Sequence, residues 1–186
     1  MATTLLDAIN RLLVARGVAP VSDEDSSHPD VTAAKTLLEA HKRNISGEKW
    51  WFNTETATLS PDADGFIKVP TRVESLDNED NNMIINGKLY SLENRTSVYT
   101  EDVEDIILIY NRDWDELPVQ AFEFIVASAK EEFIRPLESQ ILTTRAENDI
   151  TKAKALLDIA DFRYKDVGKE TGNPLMQKWR TKMLVR

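Results

Sequence analysis

Apolar residues recur at helical spacing toward both ends of the chain and alternate in the middle, and this change of period divides the sequence. Near the start, Leu5, Ile9, Leu12 and Leu13 share one side of a helix predicted over residues 4–16. Thr4, with Asp7 three positions later, suits a capping box, and Gly17 followed by Pro20 ends the helix. After a polar stretch over residues 22–30, Ser27, Pro29 and Asp30 are helix-start residues. A second helix then carries Val31, Ala34, Leu37, Leu38, His41 and Ile45 and fades near Gly47.

Between residues 50 and 110 the segments shorten. Gly65-Phe66-Ile67-Lys68-Val69 reads as a strand stopped by Pro70. Met83-Ile84-Ile85, Asn86-Gly87 and Lys88-Leu89-Tyr90 read as a hairpin, because Asn-Gly accommodates the two positive φ angles of a type I′ turn. Residues 106–110 are β-rich and predict a buried strand. Helical spacing returns after Pro118, with Phe122, Ile125, Val126, Ala129 and Phe133 on one stripe, and Arg135-Pro136 closes it. The last long helix is expected over residues 138–164, with Ile141, Leu142, Ala146, Ile150, Ala153, Leu157 and Ala160 inward.

The order is two helices, a β-rich insertion and two helices. It predicts a mainly α chain with a β insertion (α+β). The expected form is a four-helix bundle with a small antiparallel sheet between helices two and three, and an extended C-terminal arm. The bundle is expected from residues 1–49 and 111–165, the inserted subdomain from 50–110, and the arm from 166–186. In the arm, Asn173-Pro174 caps a short amphipathic segment. Leu175, Met176, Trp179 and Met183 form its apolar stripe, and Lys178, Lys182 and Arg186 lie beside it at four-residue spacing. For so short a piece, burial gain and ordering cost are of similar size, so it is expected to order only against something else.

Composition narrows the function. At 186 residues, 41% hydrophobic and 30% charged, the chain can bury a core. Its formal net charge of -9 argues against sequence-independent nucleic-acid binding, although an acidic wall lets a polyanion slide past. Nine acids against three bases fall in residues 71–105, so much of the excess sits in the insertion. The absence of cysteine removes disulfides, thiol catalysis and thiolate metal sites. The opening residues lack the pattern of a signal peptide, and no apolar run approaches bilayer length, so cytoplasmic synthesis and no membrane partner are expected.

Candidate chemistry is thin. His28 and His41 have no i, i+4 partner and are read as solvent or bundle histidines, not metal ligands. The acidic pairs Glu24/Asp25, Glu79/Asp80, Glu101/Asp102, Glu104/Asp105 and Glu131/Glu132 could serve glycoside hydrolysis only if an apolar pocket raised one pKa. Their setting in polar turns or on a helix's outer face favours solvation. With six glycines and no Gly-x-Ser-x-Gly or phosphate-binding loop, no nucleophile or cofactor site is marked. Trp50-Trp51-Phe52 could stack on sugars or bases, but such a cluster more often plugs the junction between a bundle and its inserted sheet.

Trp51-Phe52-Asn53-Thr54-Glu55, Gly65-Phe66-Ile67-Lys68-Val69-Pro70 through Leu76-Asp77, and Asp113-Trp114-Asp115-Glu116-Leu117-Pro118 resemble the tail tubular protein A family in order and spacing. The resemblance runs from Leu5 to about Lys165. This family supplies the head-to-tail adaptor, or gatekeeper, of short-tailed bacteriophages. The resemblance therefore implies a non-enzymatic virion protein acting in DNA ejection. It would be one subunit of a homo-dodecameric ring between the portal and the tail nozzle, a tubular protein B-like partner, with DNA passing unread through the lumen. The C-terminal arm would reach toward the portal, and the sheet would lie toward the nozzle. No cofactor is implied. The arm residues Leu175, Met176, Lys178, Trp179, Lys182, Met183 and Arg186 would seat on the portal or a neighbouring subunit. Two other classes compete: a virion-associated hydrolase of peptidoglycan or exopolysaccharide, and a small interaction module unrelated to virions.

Overall fold

The computed structural model describes residues 4–77, 81–134 and 140–167. Four helices, five strands and one 3-10 turn are formed among them, giving an α+β fold. α1 (Leu5–Ala15) starts at Thr4, whose hydroxyl accepts the Asp7 N–H. Beyond it, Gly17 turns the chain at a φ of 79°. α2 (Pro29–Ser46) begins with proline at its first position, where no N–H is needed, and is capped by His28, whose Nδ1 accepts the Asp30 N–H. Leu5, Ala8, Ile9, Leu12 and Leu13 of α1 and Val31, Ala34, Leu38 and Ile45 of α2 are buried. Leu37 and His41, expected on the inward stripe, are only half-buried at its margin, while Lys42 and Ser46 are buried instead.

The insertion is built on one central strand. β1 (Thr54–Leu59) and β2 (Val73–Asp77) both pair antiparallel with β5 (Val103–Tyr110), in the order β1-β5-β2. β5 is longer than the expected run over residues 106–110. Its extra residue is taken up by a bulge where Ala57 faces Ile106 but Leu59 faces Val103, and Asp105 adopts a φ of 54° there. β3 (Asn82–Ile85) and β4 (Lys88–Ser91) form the expected hairpin, with Asn86 and Gly87 both at positive φ. Gly65–Val69 is not a strand. It is an extended crossing that makes only single bridges, Phe66 to Val98 and Lys68 to Lys88, because each residue meets a different partner. Gly65, at a φ of 81°, lies so close to Val98 that an added Cβ would sit 2.8 Å from its Cγ1. Ile67, Leu89, Ile106 and Leu108 close a small core beneath this crossing.

The 3-10 turn (Trp114–Glu116) leads into α3 (Val119–Ile134), which packs on α1, α2 and α4 (Gln140–Val167). Phe122, Ile125, Val126, Ala129 and Phe133 are all buried, each removed from water at a gain of roughly 1.5–3 kcal/mol for the larger side chains. The expected stop at Arg135-Pro136 lies outside the described residues, as do the side chains of Ile141 and Leu142. α4 contributes Ala146, Ala153, Leu157 and Ala160 at steps of seven, four and three, a narrow seam of mostly small residues, with Ile150 half-buried between them. Among the described residues α3 is the only helix against which α4 packs extensively, and α1 and α2 occupy its other flanks.

Candidate assembly surfaces

Where α2 ends, the chain turns through Trp50, Trp51, Phe52 and Asn53 before entering β1. Trp50 is buried in the helical core, and the Lys154 ammonium lies 5.4 Å from its ring centre. The Trp51 ring stacks on Tyr164 of α4 at 5.3 Å, almost parallel, and meets Phe52 edge-on at 5.1 Å. The Trp51 N–H donates to Asp161 at 3.1 Å, and the Phe52 carbonyl accepts from Arg112 Nε at 3.1 Å. Lys165 donates both to the Lys49 carbonyl (3.0 Å) and to Asp161 (2.7 Å). Lys49 itself pairs with Asp77 at the end of β2. The last turns of α4, the exit from α2 and the sheet are thus held together at one place.

Asn53 organises that place. It is fully buried, its amide donates to the Ser46 and Glu48 carbonyls (3.1 and 3.0 Å), and its side-chain oxygen accepts the Trp50 N–H at 2.9 Å. Its own carbonyl accepts the Tyr110 N–H at 2.8 Å, joining the turn to β5.

A second link joins sheet and helices. Arg72, in the left-handed region at a φ of 72°, pairs with Glu116 at 2.6 Å and Asp113 at 3.0 Å. Glu116 also accepts the Asp113 N–H. That backbone bond and then the Arg72 guanidinium hold the Glu116 carboxyl below its ordinary range. A carboxyl whose pKa is lowered on folding stabilises the fold above its unfolded pKa, and the contribution is lost as pH falls through the folded value. Glu116→Gln is therefore expected to be less stable than the parent at neutral pH, with the gap narrowing below about pH 4.3, the ordinary glutamate value. Urea midpoints measured from pH 7 to pH 3 read this directly, and a gap that stays constant or widens in acid would contradict it.

The remaining candidates are dispersed. His28 serves as a helix cap, and His41 Nε2 lies 3.0 Å from Glu132 on α3. Among the described residues no group of three or more His, Asp or Glu side chains is placed to hold a metal. Glu101, Asp102, Glu104 and Asp105 are exposed at the start of β5, and Asp25 pairs with Lys35. Glu131 departs from its expected place on an outer face: it is buried on α3, while its neighbour Glu132 reaches His41. Residues 78–80, which include Glu79 and Asp80, lie outside the described residues. Among the described residues the two carboxyls with altered titration, Asp62 and Glu116, are both lowered. For Asp62 the Phe66 N–H is the main cause. A general acid needs the opposite shift.

Exposed apolar surface lies elsewhere, on faces the sequence reading had not singled out. On α4, Leu156, Ile159 and Phe162 are 59%, 47% and 63% exposed on the side away from the Ala146–Ala160 seam. Arg145, Lys152 and Arg163 flank them, exposed and without an ion pair to any described residue. The signal was present in the sequence as a second stripe at positions 152, 156, 159 and 163. On the insertion, Met83, Ile85, Leu92 and Val98 are exposed. Beside α2 an open groove of about 570 Å³ is lined by Thr32, Thr36 and Ala40 together with the acids Glu24, Asp25 and Glu39 and the bases Lys35 and Arg43. The expected arm residues Leu175, Met176, Lys178, Trp179, Lys182, Met183 and Arg186 lie outside the described residues.

Comparison with known proteins completes this picture. A family model described as tail tubular protein matches residues 6–167. Tail tubular protein A of Klebsiella phage KP34 is 31% identical over 119 residues, which is 62% of this chain and 63% of that protein. The aligned stretch thus spans somewhat less than two thirds of the relative's length.

Proposed function

The chain belongs to the tail tubular protein family, a structural component of bacteriophage tails, and from that premise we propose that it is a subunit of the head-to-tail adaptor. In this reading it forms a homo-oligomeric, dodecameric ring between the portal and the tail nozzle, located in the neck of the virion. The observation that carries the reading is the extent of the family match, which runs from α1 through the inserted sheet to the end of α4. The bundle, residues 1–49 and 111–165, is the ring body. The insertion, 50–110, faces the nozzle, and the arm, 166–186, reaches to the portal through Leu175, Met176, Trp179 and Met183, with Lys178, Lys182 and Arg186 meeting acidic groups.

Such a subunit works by repetition and needs no reacting centre. A weak contact presented once per copy on a closed ring becomes tight when all copies engage together. The net charge of -9 suits a wall past which DNA slides without being bound. Trp50, Trp51 and Phe52 act within the subunit, fixing the sheet against the end of α4. Negative-stain images of the purified chain, with and without the portal of the same virus, test the proposal. Rings seated on the portal vertex are expected, and a chain that stays unattached and is absent from finished particles would overturn it.

A further inference from the structure

Given the adaptor reading on which this inference rests, we propose that adjacent copies meet by laying the outer face of α4 of one copy into the α2 groove of the next. The α4 face is a row of Leu156, Ile159 and Phe162, all about half exposed or more, bordered by Arg145, Lys152 and Arg163. Two acids of the same helix are engaged elsewhere, Asp149 with Lys130 and Asp158 with Lys154, and Glu147 is exposed between Arg145 and Lys152. An apolar ridge whose cations pair with no described residue calls for an apolar or small-residue furrow with carboxylates at its rim.

The chain carries one. Thr32, Thr36 and Ala40, small and exposed, line the groove on α2 with Glu24, Asp25 and Glu39, of which Glu39 also accepts the Trp114 indole N–H at 2.7 Å, and Asp23 is exposed one residue before Glu24. Lys35 and Arg43 are the opposing charges in the groove. Lys35 is already bonded to Asp25 at 2.8 Å, and with three carboxylates against two cations the groove keeps a small acidic excess.

The occupant is a second copy. Within one copy, α2 and α4 pack on different flanks of α3 and not extensively on each other, so the ridge cannot reach its own groove. The chain's C-terminal segment is a poor charge match for the α4 face. It carries Lys178, Arg180, Lys182 and Arg186 with no acid after Glu170, which sets like charge against Arg145, Lys152 and Arg163. A ridge and a groove on different flanks of one subunit make a heterologous contact, the kind that closes into rings.

The absence of cysteine makes the test clean. Full-length chain carrying both Thr36→Cys and Ile159→Cys is assembled into particles and treated with a short bismaleimide. A ladder of covalent dimers, trimers and higher multiples is expected, with neither single variant linking at all. Linkage in the Ile159→Cys variant alone, which means α4 against α4, would overturn the proposal, as would intact rings that show no link. Lys152→Glu with Arg163→Glu is expected to cut ring yield at least tenfold, and Asp23→Lys with Glu24→Lys in the same chain to recover it. Unchanged rings in the first pair, or no recovery in the second, would also count against it. If the unaltered chain never forms rings, the adaptor reading fails with this one, whereas rings without the link defeat only the inference.

Discussion

Replacing Asn53 by alanine is expected to destabilise the protein by about 3–4 kcal/mol, although no apolar contact of any size is lost. The side chain is fully buried and bonded to three backbone groups: the carbonyls of Ser46 and Glu48 and the N–H of Trp50. Truncation leaves all three without partners, and a buried orphaned group costs roughly 1–3 kcal/mol. The lower part of the summed range is expected because water can reach the partly open Glu48 side of the turn. Asn53→Asp should cost at least as much at neutral pH. It keeps an acceptor for Trp50 but presents a carboxylate to two carbonyls that need donors. Urea unfolding measures the effect as a lower midpoint at unchanged slope. A loss below about 1 kcal/mol in Asn53→Ala would mean that the turn is held by its neighbours, with Asn53 a passenger.

Asn53 also shows where sequence reasoning stops. A polar residue between aromatics and a run of threonines carries no periodic signal, and its importance arises only because the end of α2, β1 and β5 converge on it. The helices were legible because each has a wide apolar stripe, and the β3–β4 hairpin because Asn86-Gly87 fits so few conformations. β1 was not legible. Thr-Glu-Thr-Ala-Thr-Leu is half polar and largely exposed, and it is a strand because β5 offers it a pairing edge. Gly65–Val69 failed in the opposite sense, having strand composition without a continuous partner.

The same distinction applies to the surfaces. α4 was expected to turn its stripe inward, and Ala146, Ala153, Leu157 and Ala160 do so. Those residues are mostly small, and the bulkier Leu156, Ile159 and Phe162 stay outside. Burial in one copy cannot be inferred from hydrophobicity when part of the apolar surface is meant for another molecule. Glu131 is the complementary case: acidic, and yet drawn into the interior by its place on α3. The aromatic density at residues 50–52 is visible in the sequence, but the latch of Asp161, Tyr164 and Lys165 on residues 49–51 depends on the far end of α4 returning to them.

That latch shapes the second large expectation. Deleting residues 173–186 should leave unfolding free energy unchanged within about 0.5 kcal/mol, yet abolish attachment to the portal. The first half follows from what α4 retains. Asp161, Tyr164 and Lys165 still bind the 49–51 turn, and Ala153, Leu157 and Ala160 still pack on the bundle. The second half follows from multivalency. If each arm contributes only about 1 kcal/mol, roughly a fivefold gain per copy, a ring presenting many arms multiplies those gains into many orders of magnitude. Filled heads without tails and infectivity lower by at least about a thousandfold are then expected from the truncated chain. Trp179→Ala should fall between, because it removes the largest side chain of the proposed docking stripe from each copy while Leu175, Met176 and Met183 remain. Denaturation of the purified variant separates a folding defect from a docking defect, and co-sedimentation with portal reads docking itself. A truncated chain that folds normally and sediments with portal as well as the parent would remove the arm from the mechanism and leave portal binding to the described faces of the bundle and sheet.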